Sequence, residues 1–461
     1  MAVVEYEEMV TTPEEAHVRT RVYAKRWVVL AVHMLFCACS SFHWVQYAVV
    51  GDQVARYYCV PAARVQDTSL AFMGCVAALV LPACFLIDVM GVEWGQLLGG
   101  LLMMLGSWFK VTAVAPGRFS LLLLAQAAAG VAELSVAGAA PRLAAAWFDA
   151  RQLPFARAAA ALGSELGMAL GLLLPPTIVR PHDDPQDIGG DLRRLGSSTA
   201  VASTVVMVLV VLLFRDRPRL PPSSEQACLR SRRAPATPRG FASTLRRLLT
   251  SRDYLLLLAA HGLARGALSA ILTQLNPVVT RHFPDGQEFT GRVGLVIVAV
   301  GLLGCALFGA ALRWTRKHKQ MTIAAYILMA AATCIFAFAL RTEDPLCVYF
   351  SAGVMGLFLV GFPPMAVEMS AEMTHPESES LAGSLMHVPG HALGILLTAG
   401  FTWLLQSWGD LPAALMLSAA MACGAALSTC LPGDNRRLPA SGIVDDLSSC
   451  RGDHAFAQEA V

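Results

Sequence analysis

Twelve long apolar segments, separated by short polar joints, run through almost the whole of this 461-residue chain. They cover 27–50, 67–87, 95–115, 119–147, 155–179, 196–214, 254–280, 291–312, 321–340, 346–370, 381–405 and 411–431. A helix needs about 20 consecutive apolar residues to cross roughly 30 Å of hydrocarbon. One such segment is an anchor. A dozen, with no sizeable soluble domain beside them, make the membrane bundle the working part. Composition agrees: 56% of the residues are hydrophobic and only 15% are charged, against about 25% charged in a soluble domain. Mean hydropathy is +0.55. The expected fold class is an all-α polytopic membrane protein.

An even number of spans puts both termini on one side. Lys and Arg concentrate in short cytoplasmic flanks. Arg19, Arg21, Lys25 and Arg26 precede the first span, the 215–252 segment is basic, and Arg313–Lys319 adds another basic run. Placing both termini in the cytoplasm puts most of the 35 Lys and Arg on the inner side and leaves Arg265 inside a span. The first 26 residues carry five glutamates and no apolar core, so they read as a tail and not as a cleavable signal peptide. Of the 12 cysteines, Cys37, Cys39, Cys75, Cys84, Cys305, Cys334 and Cys423 lie singly in spans and act as small hydrophobes. No C-x-x-C pair suggests zinc or a disulfide framework. Cys59 and Cys347 pair only if the fold brings them together. Neither asparagine, Asn276 or Asn435, starts a glycosylation sequon.

The longest break, 215–252, holds several prolines with about ten basic residues and buries too little apolar surface to fold alone. The chain therefore divides into a cytoplasmic tail (1–26), six spans (27–214), a basic cytoplasmic linker (215–253), six more spans (254–431) and a second cytoplasmic tail (432–461). Two six-helix bundles around a central site is the architecture of major facilitator transporters, an analogy at the level of fold. Asp88-Val-Met-Gly91 after the second span and Arg313–Lys319 after the eighth sit at corresponding places in the halves, where this class carries cytoplasmic latches. Glu93 stands where a basic residue is usual. Small residues in spans 3 to 5, such as Gly95, Gly99, Gly100 and Gly106, allow close helix approach.

An ionisable residue at bilayer depth costs about 2.5–3.5 kcal/mol on insertion scales and is a functional-site hypothesis by default. Glu133 lies mid-span 4 and Glu165 in span 5. His261 and Arg265 are one turn apart in span 7. Glu368 and Glu372 lie at the inner end of span 10, beside the His375–Glu379 loop, and read as gate or salt-bridge residues. Glu165 and Arg265 read as an ion pair. His387 and His391 share one face of span 11, next to Pro389 and Gly390 in a helix that looks broken. Trp44 lies in the outer half of span 1, flanked by His43 and Gln46. Tryptophan, glutamate and histidine near the midplane suggest a pocket for an organic cation, through charge pairing and cation–π attraction. Glutamate with histidine also allows proton transfer.

Several strings resemble the feline leukaemia virus subgroup C receptor-related transporters, solute carrier family 49. Phe42-His43-Trp44-Val45-Gln46-Tyr47 looks like the family's first-span F-x-W-x-Q-Y motif. Leu162–Gly167 and Leu172–Pro176 look like its fifth-span signature. Gly291–Leu295, Lys319-Gln320, Ala371-Glu372 and Pro376–Glu379 follow in order, so the likeness runs from about residue 26 to 431. The resemblance implies a major facilitator fold and transport of small organic solutes, with choline, ethanolamine and haem as the family's associated substrates. Trp44 matches the tryptophan of the family's aromatic choline box. Glu133, Ser269 and His391 fall where choline-transporting members have glutamine, tyrosine and a second glutamine.

These readings converge on a carrier, neither an enzyme nor a nucleic-acid binder, with no resident cofactor or metal. A small organic cation binds at Trp44, Gln46, Glu133, Ser269 and His391. Asp88, Gly91, Glu165, Arg265, Glu368 and Glu372 serve gating or coupling, with protons as an added partner. The alternatives are haem, with His387 and His391 as candidate ligands, and a transporter-like receptor or scaffold. The lipid bilayer is the surrounding medium, in the plasma membrane or an organelle.

Overall fold

Each apolar segment is helical along all or most of its length. The computed structural model describes residues 20–149, 152–222, 237–284, 286–315, 317–374 and 379–431. The sequence features at Arg19, within 223–236, at Arg316, at His375–Ser378 and after Leu431 lie outside the described residues.

The first half holds α1 (Lys25–Val45), α2 (Gly51–Tyr58), α3 (Ala62–Val65), α4 (Asp67–Met90), α5 (Val92–Ala113), α6 (Phe119–Glu133), α7 (Ala139–Trp147), α8 (Leu153–Ile178) and α9 (Pro185–Leu213). The second holds α10 (Pro238–Thr250), α11 (Arg252–Val279), α12 (Gln287–Thr315), α13 (His318–Leu340), α14 (Pro345–Leu359), α15 (Phe362–Thr374), α16 (Glu379–Ser407) and α17 (Asp410–Thr429). Among the described residues, 10 helical stretches are long and apolar enough to cross a membrane. The two remaining passes are α5, which carries Glu93 and Lys110, and the interrupted pair α6–α7.

Three spans that read as continuous are not. The first stops at Val45, and Gln46–Val50 form turns before α2. The fourth breaks between Glu133 and Ala139, where Gly138 has φ 72° and Ser135 O accepts from Gln96 Nε2 at 3.0 Å. A side chain is strained at such a φ, and glycine is not. The tenth breaks at Val360-Gly361, and α15 then opens on Pro363 and Pro364. Their missing N–H groups are tolerated only in a helix's first turn. The eleventh span does the reverse: α16 runs unbroken through Pro389, since helix neighbours in a membrane protein can re-satisfy the freed carbonyl.

Small residues set the tightest contacts. A Cβ on Gly167 would run into the Ala38 carbonyl, and one on Gly163 would sit 2.6 Å from Met34 O, so α8 lies directly against α1. In the second half, a Cβ on Gly266 would come 2.9 Å from Gly394 N, and α11 lies equally close to α16. These two pairs occupy corresponding places in the halves and carry the site described below.

The linker is not wholly irregular. Thr237 caps α10 by accepting from Gly240 N at 3.1 Å. Phe241, Leu245 and Leu248 pack on the core, with Phe241 5.2 Å from the Phe85 ring. Prolines and arginines hid this amphipathic stripe. Cys59 and Cys347 remain free thiols.

The halves touch at both ends of the bundle. On the face shared by the chain's ends, Ser380 Oγ donates to Gly138 O at 3.0 Å. On the opposite face, Gln274 joins Gln66 and Thr402, Asn276 Nδ2 donates to Asp52 Oδ2 at 3.0 Å, and Gln287 Nε2 donates to Val179 O at 2.8 Å.

Candidate substrate site

Between these two sets of contacts, four helices turn ionisable groups toward one place. Glu133 is the last residue of α6. The helix dipole is negative there, so a carboxylate at that end adds to a negative field that only a cation relieves. Glu165 comes from α8, Arg265 from α11, and His387 and His391 from α16. Arg265 interacts electrostatically with Glu133, Glu165, His261, His387 and His391. Its guanidinium carbon lies 5.8 Å from the Trp44 ring centroid, across the boundary between the halves. This is within the range of a cation–π contact.

Direct pairing is missing. Among the described residues Arg265 makes no ion pair within 4.0 Å, so the expected Glu165–Arg265 bridge is replaced by a longer-range interaction. Glu133 Oε2, Glu165 Oε2, Trp44 Nε1 and His391 Nδ1 are buried with no hydrogen-bond partner. The His387 and His391 rings stack 6.2 Å apart. Ser269, one turn beyond Arg265, is fully buried, and its hydroxyl donates to Arg265 O at 3.0 Å.

Gln46 belongs elsewhere. Its Nε2 lies 3.2 Å from His43 Nδ1, in a polar cluster of the first half. There Lys110 Nζ donates to the same Nδ1 at 2.8 Å. Ser107 and Ser203 hydroxyls each lie 3.0 Å from His43 Nε2. Lys110 is 1% exposed, and its Nζ sits 5.6 Å from the Tyr47 ring centroid. This lysine lies inside the 95–115 span and was not singled out from the sequence. The signal was its spacing from Ser107, which puts both on one face of α5.

Of the gating candidates, Glu165 and Arg265 fall at the midpoint site with Trp44, whereas Asp88, Gly91, Glu368 and Glu372 lie on the face of the chain's ends. Asp88 accepts from Arg142 on α7. Gly91, with φ 92°, makes the corner between α4 and α5. Glu93 pairs with Arg215 at 3.2 Å instead of serving as a basic latch residue. Glu372 lies 3.6 Å from His318 at the start of α13. Glu368 is exposed and, among the described residues, makes no ion pair.

Two helical halves closed around a charged, aromatic midpoint define a secondary transporter of the alternating-access class. The sequence profile of the Major Facilitator Superfamily matches residues 29–350. The chain is 31% identical over 436 residues to the Danio rerio choline/ethanolamine transporter flvcr2b, covering 95% of this chain and 88% of that one. It is 29% identical to the human choline/ethanolamine transporter FLVCR2, covering 93% and 81%. It is 30% identical to the Felis catus choline/ethanolamine transporter FLVCR1, covering 91% and 75%. The chain belongs to the major facilitator superfamily and, within it, to the feline leukaemia virus subgroup C receptor-related transporters. Among solved structures, a D-xylose–proton symporter superposes with a TM-score of 0.68 at 11% identity, over 89% of this chain and 99% of that one. The E. coli fucose–proton symporter superposes at 0.62 and 14%, over 88% and 99%. These two likenesses concern the fold alone.

Proposed function

We propose that this carrier moves a small organic cation of the choline or ethanolamine class, bound between the halves against Trp44 and between Glu133 and Glu165. One observation carries the reading. Two carboxylates, each with one buried and unpartnered oxygen, face a single guanidinium, so when both are ionised the site has formal charge to spare for one more cation. The Trp44 face adds the cation–π attraction that suits an ammonium group. The relatives named above are choline/ethanolamine transporters, which supports this reading. Ser269 and His391 give this chain a more polar wall, which favours a cargo able to hydrogen-bond. Basic residues at Lys25, Arg26, Arg215 and Lys317 support cytoplasmic termini, in a plasma-membrane carrier. Glu133 and His391 also supply groups able to take a proton during the cycle.

The test is uptake of radiolabelled choline and ethanolamine by cells expressing the wild type or Trp44→Ala, at about pH 6 and 7.5. Uptake of either amine, reduced about tenfold or more in the variant, is expected; loss of a cation–π contact of about 1–2 kcal/mol or more has that size. No uptake of either amine by well-expressed wild type would sink the cargo assignment. A steady rise or fall with pH that Glu133→Gln removes would add proton coupling.

A further inference from the structure

The guanidinium of Arg265 already stands where a cargo ammonium would stand. It comes from α11 in the second half and reaches the Trp44 face on α1 in the first, 5.8 Å from the ring centroid. Among the described residues it makes neither a hydrogen bond nor an ion pair within 4.0 Å. A ring face and the field of Glu133 and Glu165 hold it. A cation held in this way can be exchanged for another. Its path is kept clear by Gly390, since a Cβ there would sit 3.1 Å from Arg265 Cγ.

We propose that Arg265 is a tethered surrogate for the cargo: it occupies the cation place on Trp44 when the carrier is empty, and this lets the empty carrier turn over. The proposal rests on the cation reading of the site. Its physical ground is the cost of burying charge. For the halves to close, Glu133 and Glu165 must leave water, and each uncompensated buried ion costs several kcal/mol. A bound ammonium compensates them during the loaded step. During the empty step Arg265, the permanently charged cation of the described site, does so, and the halves do meet at both ends here with the guanidinium on the ring. When cargo arrives it takes the ring face, and Arg265 yields toward the carboxylates. Arg265 is thus required for return of the empty carrier and dispensable for one-for-one exchange.

Purified wild type, Arg265→Ala and Arg265→Gln are placed in liposomes. Two rates are compared for the amine that the wild type carries: net uptake into vesicles without cargo, and counterflow into vesicles preloaded with the unlabelled amine. Expected is a tenfold or larger loss of net uptake in both variants, with counterflow within about threefold of wild type. Equal loss of both rates, or unchanged net uptake, would overturn the proposal. A second measurement needs no transported cargo. Millimolar ethylguanidinium should raise the melting temperature of Arg265→Ala and leave that of the wild type in place. Absence of that difference would also overturn the proposal. Wild type that shows neither uptake nor counterflow of either amine sinks the cargo reading alone, and the ethylguanidinium comparison still decides the role of Arg265.

Discussion

Lys110 Nζ donates to His43 Nδ1 at 2.8 Å, inside a part of the first half where both residues are fully buried. Gln46 Nε2 points at the same nitrogen, so the ring hydrogen is assigned to Nε2, facing the Ser107 and Ser203 oxygens. Gln126 Nε2 meanwhile donates to His43 O at 3.0 Å. The cluster anchors the last turn of α1 at His43, the residue before Trp44, and so positions the ring.

Ser107→Ala or Ser203→Ala alone leaves His43 Nε2 one acceptor and should change stability little. The double variant orphans a buried donor, and should lose about 1–3 kcal/mol. A double-mutant cycle on melting in detergent reads the excess over additivity; an additive result would show that the two hydroxyls are not shared by one hydrogen.

Glu133→Gln keeps shape and hydrogen-bonding capacity but removes one of the two negative charges. Cargo KM should rise about tenfold or more, with expression and melting near wild type or improved, because a buried charge has been relieved. Unchanged KM would move the cation away from α6.

Gly390→Ala puts a methyl 3.1 Å from Arg265 Cγ. The stem must shift, which weakens the stacking on Trp44. Net uptake should fall by a few-fold while counterflow holds, an intermediate version of Arg265→Ala. A fall in counterflow of equal size would show general misfolding of the α11–α16 contact.

Asp88→Asn removes the charge from the contact with Arg142 while keeping an acceptor oxygen; the Asp88 and Arg142 side chains are only 16% and 10% exposed. A partly buried guanidinium is left without its carboxylate, and the expected loss is about 1–3 kcal/mol. Reversal in Asp88→Asn/Arg142→Gln would mark the damage as an unpaired charge; no recovery would indicate lost packing.

The run of apolar spans and several of the ionisable residues within them, Glu133, Glu165, Arg265, His387 and His391, were legible, because charge is conspicuous in an apolar run. What the sequence concealed depends on tertiary partners. Leu134–Gly138 is as apolar as its flanks, and only Gly138's left-handed backbone and the Gln96 contact reveal a break. Pro389 advertised a break that close packing on α11 removes. Lys110, inside the third span, was passed over because its neutral partners, His43, Ser107 and Ser203, lie on three helices. Arg265 and Glu165 read as a pair from their opposite signs, whereas the guanidinium lies over Trp44 instead.

The sign and number of the midpoint charges also have an electrical consequence. With Glu133, Glu165 and Arg265 ionised, the vacant site carries −1, and a monovalent ammonium brings it to zero. Cargo then crosses as a neutral complex, and the membrane potential acts on the vacant site alone. A unit charge crossing the full field exchanges about 2.3 kcal/mol per 100 mV. On the cation reading, an inside-negative potential then favours the outward-facing vacant site, and net uptake into liposomes should rise with an inside-negative potential while one-for-one exchange does not.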